Sequence, residues 1–308
     1  MTARYRIEHD TRYTYATRVS TSQQVACLRP RALPRQRVHR QELTVEPQPA
    51  RWTRRTDYFG NAVDQFTLLQ PHTKLAVSAR SLVELLPAPS LPLPELSPPW
   101  EDARRALAYR QGVAGGEAVR YAFASPYIAL DPEAAEFARV SFVPGRPLLA
   151  AAVDLMHRIY TEFRFDPDAT TIRTPVGRVL TERRGVCQDF AHVQIACLRA
   201  LGLSARYVSG YLLTTPPPGR PRLQGADASH AWLAVHCAHH GWVDLDPTND
   251  LLPDQQHITL GWGRDYGDVS PLHGVILGGA RHKLAVGVSV LPLDQAEWDQ
   301  ALAEPAAS

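Results

Sequence analysis

The 308-residue chain is short of cysteine, with four, and of methionine, with two, and its only lysines are Lys74 and Lys283. Four cysteines (Cys27, Cys187, Cys197 and Cys237) are too sparse for a disulfide framework at this length, and no CxxC pair offers zinc-ligand spacing. At least one thiol is left for chemistry. The lysine shortage, beside abundant arginine, reads as codon bias and makes the chain a poor lysine donor to itself. Long apolar runs are missing too. Nothing approaches the roughly 18 residues of a membrane span, and Leu148 to Val153 reads as a short buried helical run. The opening Met-Thr-Ala-Arg-Tyr-Arg-Ile-Glu-His-Asp has no apolar stretch behind its arginines, so no secretory leader is expected and the expected location is cytoplasmic.

Against these absences, 44% apolar and 21% charged residues exclude disorder and collagen-like repetition, and the length favours two domains over one. The net charge of +2 hides an asymmetry: residues 1–86 carry 14 Lys and Arg against 7 Asp and Glu, leaving 19 against 24 for residues 87–308. Tyr5, Ile7, His9, Thr11, Tyr13 and Tyr15 alternate with the period of a half-buried strand. Leu43 and Val45 alternate again, Gly60-Asn61 marks a turn, and Leu75, Val77 and Ala79 form a further strand pattern. Residues 1–86 therefore read as an antiparallel β-sandwich-like domain. Six prolines between Pro87 and Pro99 break both strand and helix, making residues 87–100 a linker with Trp100 as an anchor.

From residue 101 to 308 the pattern is that of an α+β domain. Helical spacing covers Glu101 to Tyr109, Asp131 to Arg139 and Pro147 to Phe163. After Gly202 come strands at Ala205 to Leu213, His230 to Cys237, Gly241 to Asp246 and Lys283 to Val290, which implies an antiparallel sheet against the helices. No repeat of 20 to 50 residues is visible.

The segment Arg183-Arg184-Gly185-Val186-Cys187-Gln188-Asp189-Phe190-Ala191-His192 sets a cysteine after a glycine turn, with Phe190, Val193, Cys197, Leu198 and Leu201 following at helical spacing up to Gly202. Unpaired N–H groups at a helix start carry partial positive charge, which favours thiolate and can serve a developing oxyanion. A thiolate nucleophile gains most from a histidine held by a third group. His230 opens a strand, and after a turn at Ala238 to Gly241 the return strand ends Asp244-Leu245-Asp246. A hairpin sets that end opposite His230, and both aspartates share one face, so spacing leaves Asp244 and Asp246 as alternatives.

Gly-Val-Cys-Gln-Asp-Phe-Ala-His at 185–192, Ser-His-Ala-Trp at 229–232 and Gly-Trp-Val-Asp-Leu-Asp-Pro-Thr-Asn at 241–249 resemble the three catalytic segments of the transglutaminase-like superfamily, which has a papain-like core. Asp-Tyr-Phe-Gly-Asn at 57–61 and Pro71-His72 resemble the N-terminal β-domain of its bacterial members, and Gly-Arg-Asp-Tyr-Gly-Asp-Val-Ser-Pro at 263–271 resembles their tail. The resemblance spans Tyr5 to Pro292. It implies Cys187 as nucleophile, His230 as base and Asp246, before Pro247, as orienter. Gln188, Tyr211 and Trp232 are the candidates for substrate or oxyanion contact. The implied chemistry is attack on an amide carbonyl, a thioester, and its resolution by water or an amine. Hydrolysis of a peptide or other amide is favoured because nothing marks a second amine site. A cross-linking transglutaminase is the alternative, and a non-catalytic peptide-binding module is the alternative of another class.

No cofactor, metal, nucleic acid or membrane is called for, and the oligomeric state is not readable. His236, Cys237, His239 and His240 crowd together, but two point to opposite strand faces and two fall in the turn, which argues against a metal site. Eight arginines between Arg29 and Arg55 interleave with one aromatic, Trp52, and are expected to contact the acidic C-terminal portion. Arg264, Asp265 and Asp268 read as a salt-bridged supporting loop. Cys27 and Cys197 read as core, and the loop from Thr214 to Ser229 is expected to overhang the cleft.

Overall fold

A computed structural model describes residues 2–88, 93–107, 116–214 and 229–305. Most of the expected overhanging loop, 215–228, lies outside the described residues, as do the last two residues of the helix expected over Glu101 to Tyr109. In the N-terminal part, strands β1 (Ala3–Ala26), β2 (Gln36–Glu46), β3 (Arg51–Thr56), β4 (Ala62–Leu68) and β5 (His72–Leu85) form an antiparallel sheet in the order β2-β5-β1-β4-β3. The alternation in β1 buries Tyr5, Ile7, His9 and Thr11 while their neighbours face outward, as a period of two requires.

The α+β core follows. Helices α1 (Trp100–Leu107), α2 (Pro132–Arg139), α3 (Leu148–Glu162), α4 (Val176–Glu182) and α5 (Cys187–Ala200) precede the strands β8 (Ala205–Leu212), β9 (Ser229–Cys237), β10 (Gly241–Leu245) and β11 (His257–Gly263). A two-residue parallel pair, β6 (Arg164–Phe165) and β7 (Arg184–Gly185), ties the approach to α5. The four core strands are antiparallel in the order β10-β9-β8-β11. Leu233, Val235, Ala205 and Tyr207 face α3 and α5 in one apolar core. The opposite face carries Val208, Trp232, Ala234, Trp242 and Trp262 as a second cluster.

The strand expected over Lys283 to Val290 forms, but not in the core sheet. β12 (Leu272–Gly278) and β13 (His282–Pro292) pair antiparallel with β1, β13 along Tyr5–Tyr15 and β12 along Val19–Ala26, before α6 (Gln295–Ala303) closes the described chain. The reason is the length of β1: 24 residues of strand expose more edge than β4 and β5 can cover, and unpaired edge groups are costly.

α5 is the element the sequence described best and least completely. It begins at Cys187 and ends on Gly202, whose φ of 79° provides the left-handed turn that lets Leu203 N–H reach Leu198 O at 3.0 Å. Yet every residue from Asp189 to Arg199 is buried, polar ones included. Gln194 Nε2 donates to Ala152 O at 2.9 Å, and Arg199 donates to the carbonyls of Tyr121 and Ala205 at 2.9 and 2.8 Å. These bonds replace the lost hydration.

The joint between the two sheets uses neutral amides. Gln36 Nε2 donates to Thr259 O at 2.7 Å and its Oε1 accepts Thr259 N–H at 2.8 Å, while Asn61 makes the same double bond with Trp262, at 2.8 and 3.0 Å. The arginine stretch behaves differently from the charge-based expectation. Arg29 and Arg54 pair with Asp64 of their own sheet, and Arg31 lies over the Trp262 ring at 3.6 Å. The ion pairs of Arg29 and Arg54 are thus local, while Arg31 rests on a flat indole and feels the downstream charge of Glu117.

Two buried histidines set the acid stability. His192 Nε2 accepts Tyr266 N–H at 3.2 Å, and burial, aided by Arg199, pushes its pKa down to about 3. Burial likewise pulls His9, bonded to Tyr211 and Thr11, down to about 4. Unfolded imidazoles take up protons near 6.5, so this stability is whole above pH 6.5 and is lost as pH falls towards 4, at about 2 kcal/mol per histidine by pH 4.5. Urea midpoints should therefore drop between pH 7 and 4.5, ahead of carboxylate titration, and His9→Gln should flatten that drop. A flat midpoint in the parent protein would contradict it.

Candidate active site

Cys187 is the first residue of α5 and is half-buried, whereas Cys27, Cys197 and Cys237 are buried, all four as free thiols. Asp189 shapes the turn before it: its carboxylate accepts Val186 N–H at 2.9 Å and the Thr170 hydroxyl at 2.6 Å. Gly185 leaves room for that carboxylate, since a Cβ there would lie 2.6 Å from Asp189 Oδ2.

His230 lies near the start of β9, and Asp246 follows the end of β10, where β10 and β9 run antiparallel with Leu245 opposite Leu233. His230 Nε2 donates to Asp246 Oδ2 at 2.7 Å. Asp246 is fully buried and takes three further bonds, from His257 Nε2 at 3.0 Å, Asn249 Nδ2 at 2.7 Å and Thr248 N–H at 2.9 Å. Burial alone would raise its pKa, but the donors from His230 and His257 hold the carboxyl well below the usual carboxylate range. Burial also acts against a charged His230, yet the Asp246 bond and the nearby Cys187 outweigh it and lift the imidazole to about 10. With Nε2 committed to Asp246, Nδ1 is the ring nitrogen left to exchange a proton with the thiol.

Asp244, the alternative left open by spacing, sits two residues earlier on β10, opposite Ala234, and burial pushes its pKa up with Arg206 opposing. The structure thus brings Cys187, His230 and Asp246 together and leaves Asp244 out. Gln188 stands beside Cys187 with Nε2 3.5 Å from Ile172 O, at the mouth of the site. Trp232 is fully buried beneath the imidazole, its ring stacked on His230 at 6.0 Å and 28°. Tyr211 is 1% exposed and spends its hydroxyl on His9 of β1 at 2.9 Å, so it packs the two sheets together and offers no open surface to a substrate.

Sequence reasoning passed over four contributors. Thr248 and Asn249 were signalled by their place two and three residues after an aspartate, the Asx-turn position. His257 and Tyr207, which adjoin Asp246 and Cys187 respectively, had no local signal, because only strand packing brings them in. His230, Asp246 and His257 are also the one group among the described residues whose metal-ligating atoms lie within 4.8 Å of one another, but both imidazoles already bond the same carboxylate oxygen. Arg264 and Asp268 form a two-bond ion pair, each bond 2.9 Å, and buried Asp265 accepts Tyr127 N–H, as a supporting loop requires. A cleft of about 410 Å³ opens between the sheets, lined by Tyr13, Leu284 and Val286 on one side and Ile172, Ser229 and Tyr266 on the other.

Comparison with known proteins matches these two parts separately. A profile of the bacterial transglutaminase-like N-terminal region covers residues 5–84, and one of the transglutaminase-like superfamily covers residues 140–247, enclosing Cys187, His230 and Asp246. The chain belongs to the transglutaminase-like superfamily. Members of this superfamily are generally cysteine-based enzymes. A Mycobacterium tuberculosis protein of uncharacterised function is 42% identical to this transglutaminase-like chain over 301 residues, 95% of this chain and 94% of the other. A crystal structure from Cytophaga hutchinsonii, described as a candidate cysteine protease, shares the fold with a TM-score of 0.72 at 19% identity, covering 96% of this chain and 92% of that one. A protein-glutamine gamma-glutamyltransferase of Pseudomonas aeruginosa is 28% identical over 109 residues, 33% of this transglutaminase-like chain and 16% of its own length. Among the described residues no helix is long and apolar enough to cross a membrane.

Proposed function

We propose that this protein is a cysteine hydrolase of amide bonds in peptides or peptide-like molecules, with Cys187 as nucleophile, His230 as acid and base, and Asp246 as the group that orients His230. The observation that carries the reading is the 2.7 Å bond from His230 Nε2 to a buried, multiply bonded Asp246, with the thiol of Cys187 beside the same ring at a helix start. His230 takes the thiol proton, and sulfur attacks the amide carbonyl carbon to give a tetrahedral oxyanion. In this reading the first backbone N–H groups of α5 and the Gln188 side chain donate to that oxygen. The C–N bond then breaks, the leaving amine takes the proton from His230, and a thioester remains on Cys187. His230 deprotonates a water, which attacks the thioester and releases a carboxylic acid and the thiol.

Resolution by an amine in place of water would make the protein a transglutaminase, the reaction in the name of the Pseudomonas aeruginosa relative. Water is the acceptor favoured here, because nothing in the sequence marks a second amine site. Four free thiols fit a reducing compartment, which supports a cytoplasmic location.

The test is alkylation with iodoacetamide at pH 7 followed by peptide mapping. Cys187 should react first, because burial pushes Cys27 and Cys197 up to about 12, and His230→Ala should slow it by about tenfold or more. Reaction of Cys187 no faster than Cys27, or no slower after loss of His230, would leave a peptide-binding module as the better reading.

A further inference from the structure

The face of the core sheet turned away from α5 forms one wall of a cavity of about 690 Å³, closed on the other side by the β1–β2 connection at Arg31 to Gln36. Its floor has an arrangement that protein groups leave incomplete. Arg206 on β8 and Asp244 on β10 both sit opposite Ala234 of the strand between them, so a cation and an anion flank a single small residue on one row. They do not meet. Among the described residues no ion pair within 4.0 Å joins them, and the buried Arg206 Nε has no hydrogen-bond partner, the residue being only 9% exposed. It is held instead between two indoles, 4.4 Å from the Trp242 ring and 3.7 Å from Trp262.

Indole faces recover part of the desolvation of a guanidinium but supply no acceptor for its N–H groups. Asp244 lies against the Trp232 indole and feels the charges of Arg206 and Arg35, but among the described residues it forms no ion pair within 4.0 Å. A charge pair parted by a gap, each member wanting a counter-charge, fits a molecule that carries both charges. The remaining charged lining also carries both signs, Arg31 and Arg35 with Glu117 and Asp254. His257 closes one end; its Nε2 is spent on Asp246, and its buried Nδ1 has no partner.

We propose that this cavity binds a small zwitterion of amino-acid or dipeptide size, its carboxylate on Arg206 and its ammonium on Asp244. The cavity volume suits such a ligand, and three tryptophans, Trp232, Trp242 and Trp262, give it an apolar wall and a spectroscopic reporter. The site is separate from Cys187, so it stands whether or not the hydrolase reading holds.

The test is titration of tryptophan fluorescence and thermal unfolding of full-length Cys187→Ala protein with three probes: L-alanyl-L-alanine, N-acetyl-L-alanine, which keeps only the carboxylate, and L-alaninamide, which keeps only the amine. The dipeptide should give a saturable fluorescence change and a raised Tm, with each single-charge probe about tenfold weaker or more. Asp244→Asn should weaken the dipeptide and leave N-acetyl-L-alanine unchanged, and Arg206→Gln should do the reverse, sparing L-alaninamide. Misfolding cannot produce that crossed pattern, and if neither variant folds, the ranking of the three probes on the parent decides. No saturable response to the dipeptide would make the cavity a water-filled one, and equal binding of N-acetyl-L-alanine would make it an anion site only; either overturns the proposal.

Discussion

Replacing Cys187 by alanine should abolish amide turnover, by about 10⁴-fold or more, while leaving the unfolding transition within about 1 kcal/mol of the parent. The size follows from the proposed chemistry. Without sulfur no thioester can form, and what remains is whatever the α5 N–H groups and the cleft do for direct attack by water. The small cost in stability follows from position: Cys187 is half-buried at a helix end, so one sulfur is removed where neighbours and solvent can refill the space. Amine release from a blocked peptide amide measures the rate, and mass spectrometry of a quenched parent reaction should show the acyl adduct on Cys187. Retained turnover in the alanine variant would end the hydrolase proposal, while a loss of several kcal/mol would mean that the thiol is part of the core.

Asp246→Asn carries the second large effect, and it should strike rate and stability together. An asparagine has one acceptor oxygen where the carboxylate has two, and its NH₂ would face groups that themselves donate: His230 Nε2, His257 Nε2 and Asn249 Nδ2. The imidazole would lose its fixed tautomer and its counter-charge. Turnover should fall by about 10³- to 10⁴-fold, the scale of the equivalent change in serine triads, and stability by about 2 to 4 kcal/mol because buried donors are left facing one another. The pH dependence separates the two effects. With His230 lifted to about 10 by Asp246 and Cys187, its contribution to stability is whole below pH 6.5 and is lost as pH rises from 6.5 to 10. Urea midpoints of the parent should fall over that range, and in Asp246→Asn the fall should largely vanish. Asp244→Asn makes no contact with His230 and should keep the rate within a few-fold; were it the more damaging of the two, the orienting role would belong to Asp244.

How far these sites were legible differs residue by residue. The cysteine helix was readable to its ends, because a glycine turn, a run of apolar residues at helical spacing and a terminal glycine are local signals. The facing of His230 and Asp246 was readable as a hairpin register, but spacing did not choose between Asp244 and Asp246; the family resemblance did, in favour of the aspartate before Pro247. Two aspartates on one face of a strand are equivalent until something packs over them, and it is His257 and Asn249 that make Asp246 the bonded one. Tyr211 misled because the end of a strand looks open in sequence; β1 brings His9 against it.

The same division holds for the fold. Alternation and proline placement were enough to give an antiparallel N-terminal part, a proline-rich connection and helices before strands, because those patterns are set by residues within a few positions of one another. Which sheet β13 joins was decided only by the free edge of β1, some 270 residues away in sequence. The interdomain joint was likewise invisible: charge composition pointed to arginine–carboxylate contacts, whereas Gln36 and Asn61 take the backbone of β11, since amides can both donate and accept at one place. The sequence by itself picked out the candidate thiol, its helix and its candidate histidine, and the family resemblance added Asp246. Only the tertiary structure showed what fixes that carboxylate, the donors from His257 and Asn249, and only it revealed Arg206 and Asp244 parted across Ala234, because burial and pairing are properties of surfaces brought together from distant parts of the chain.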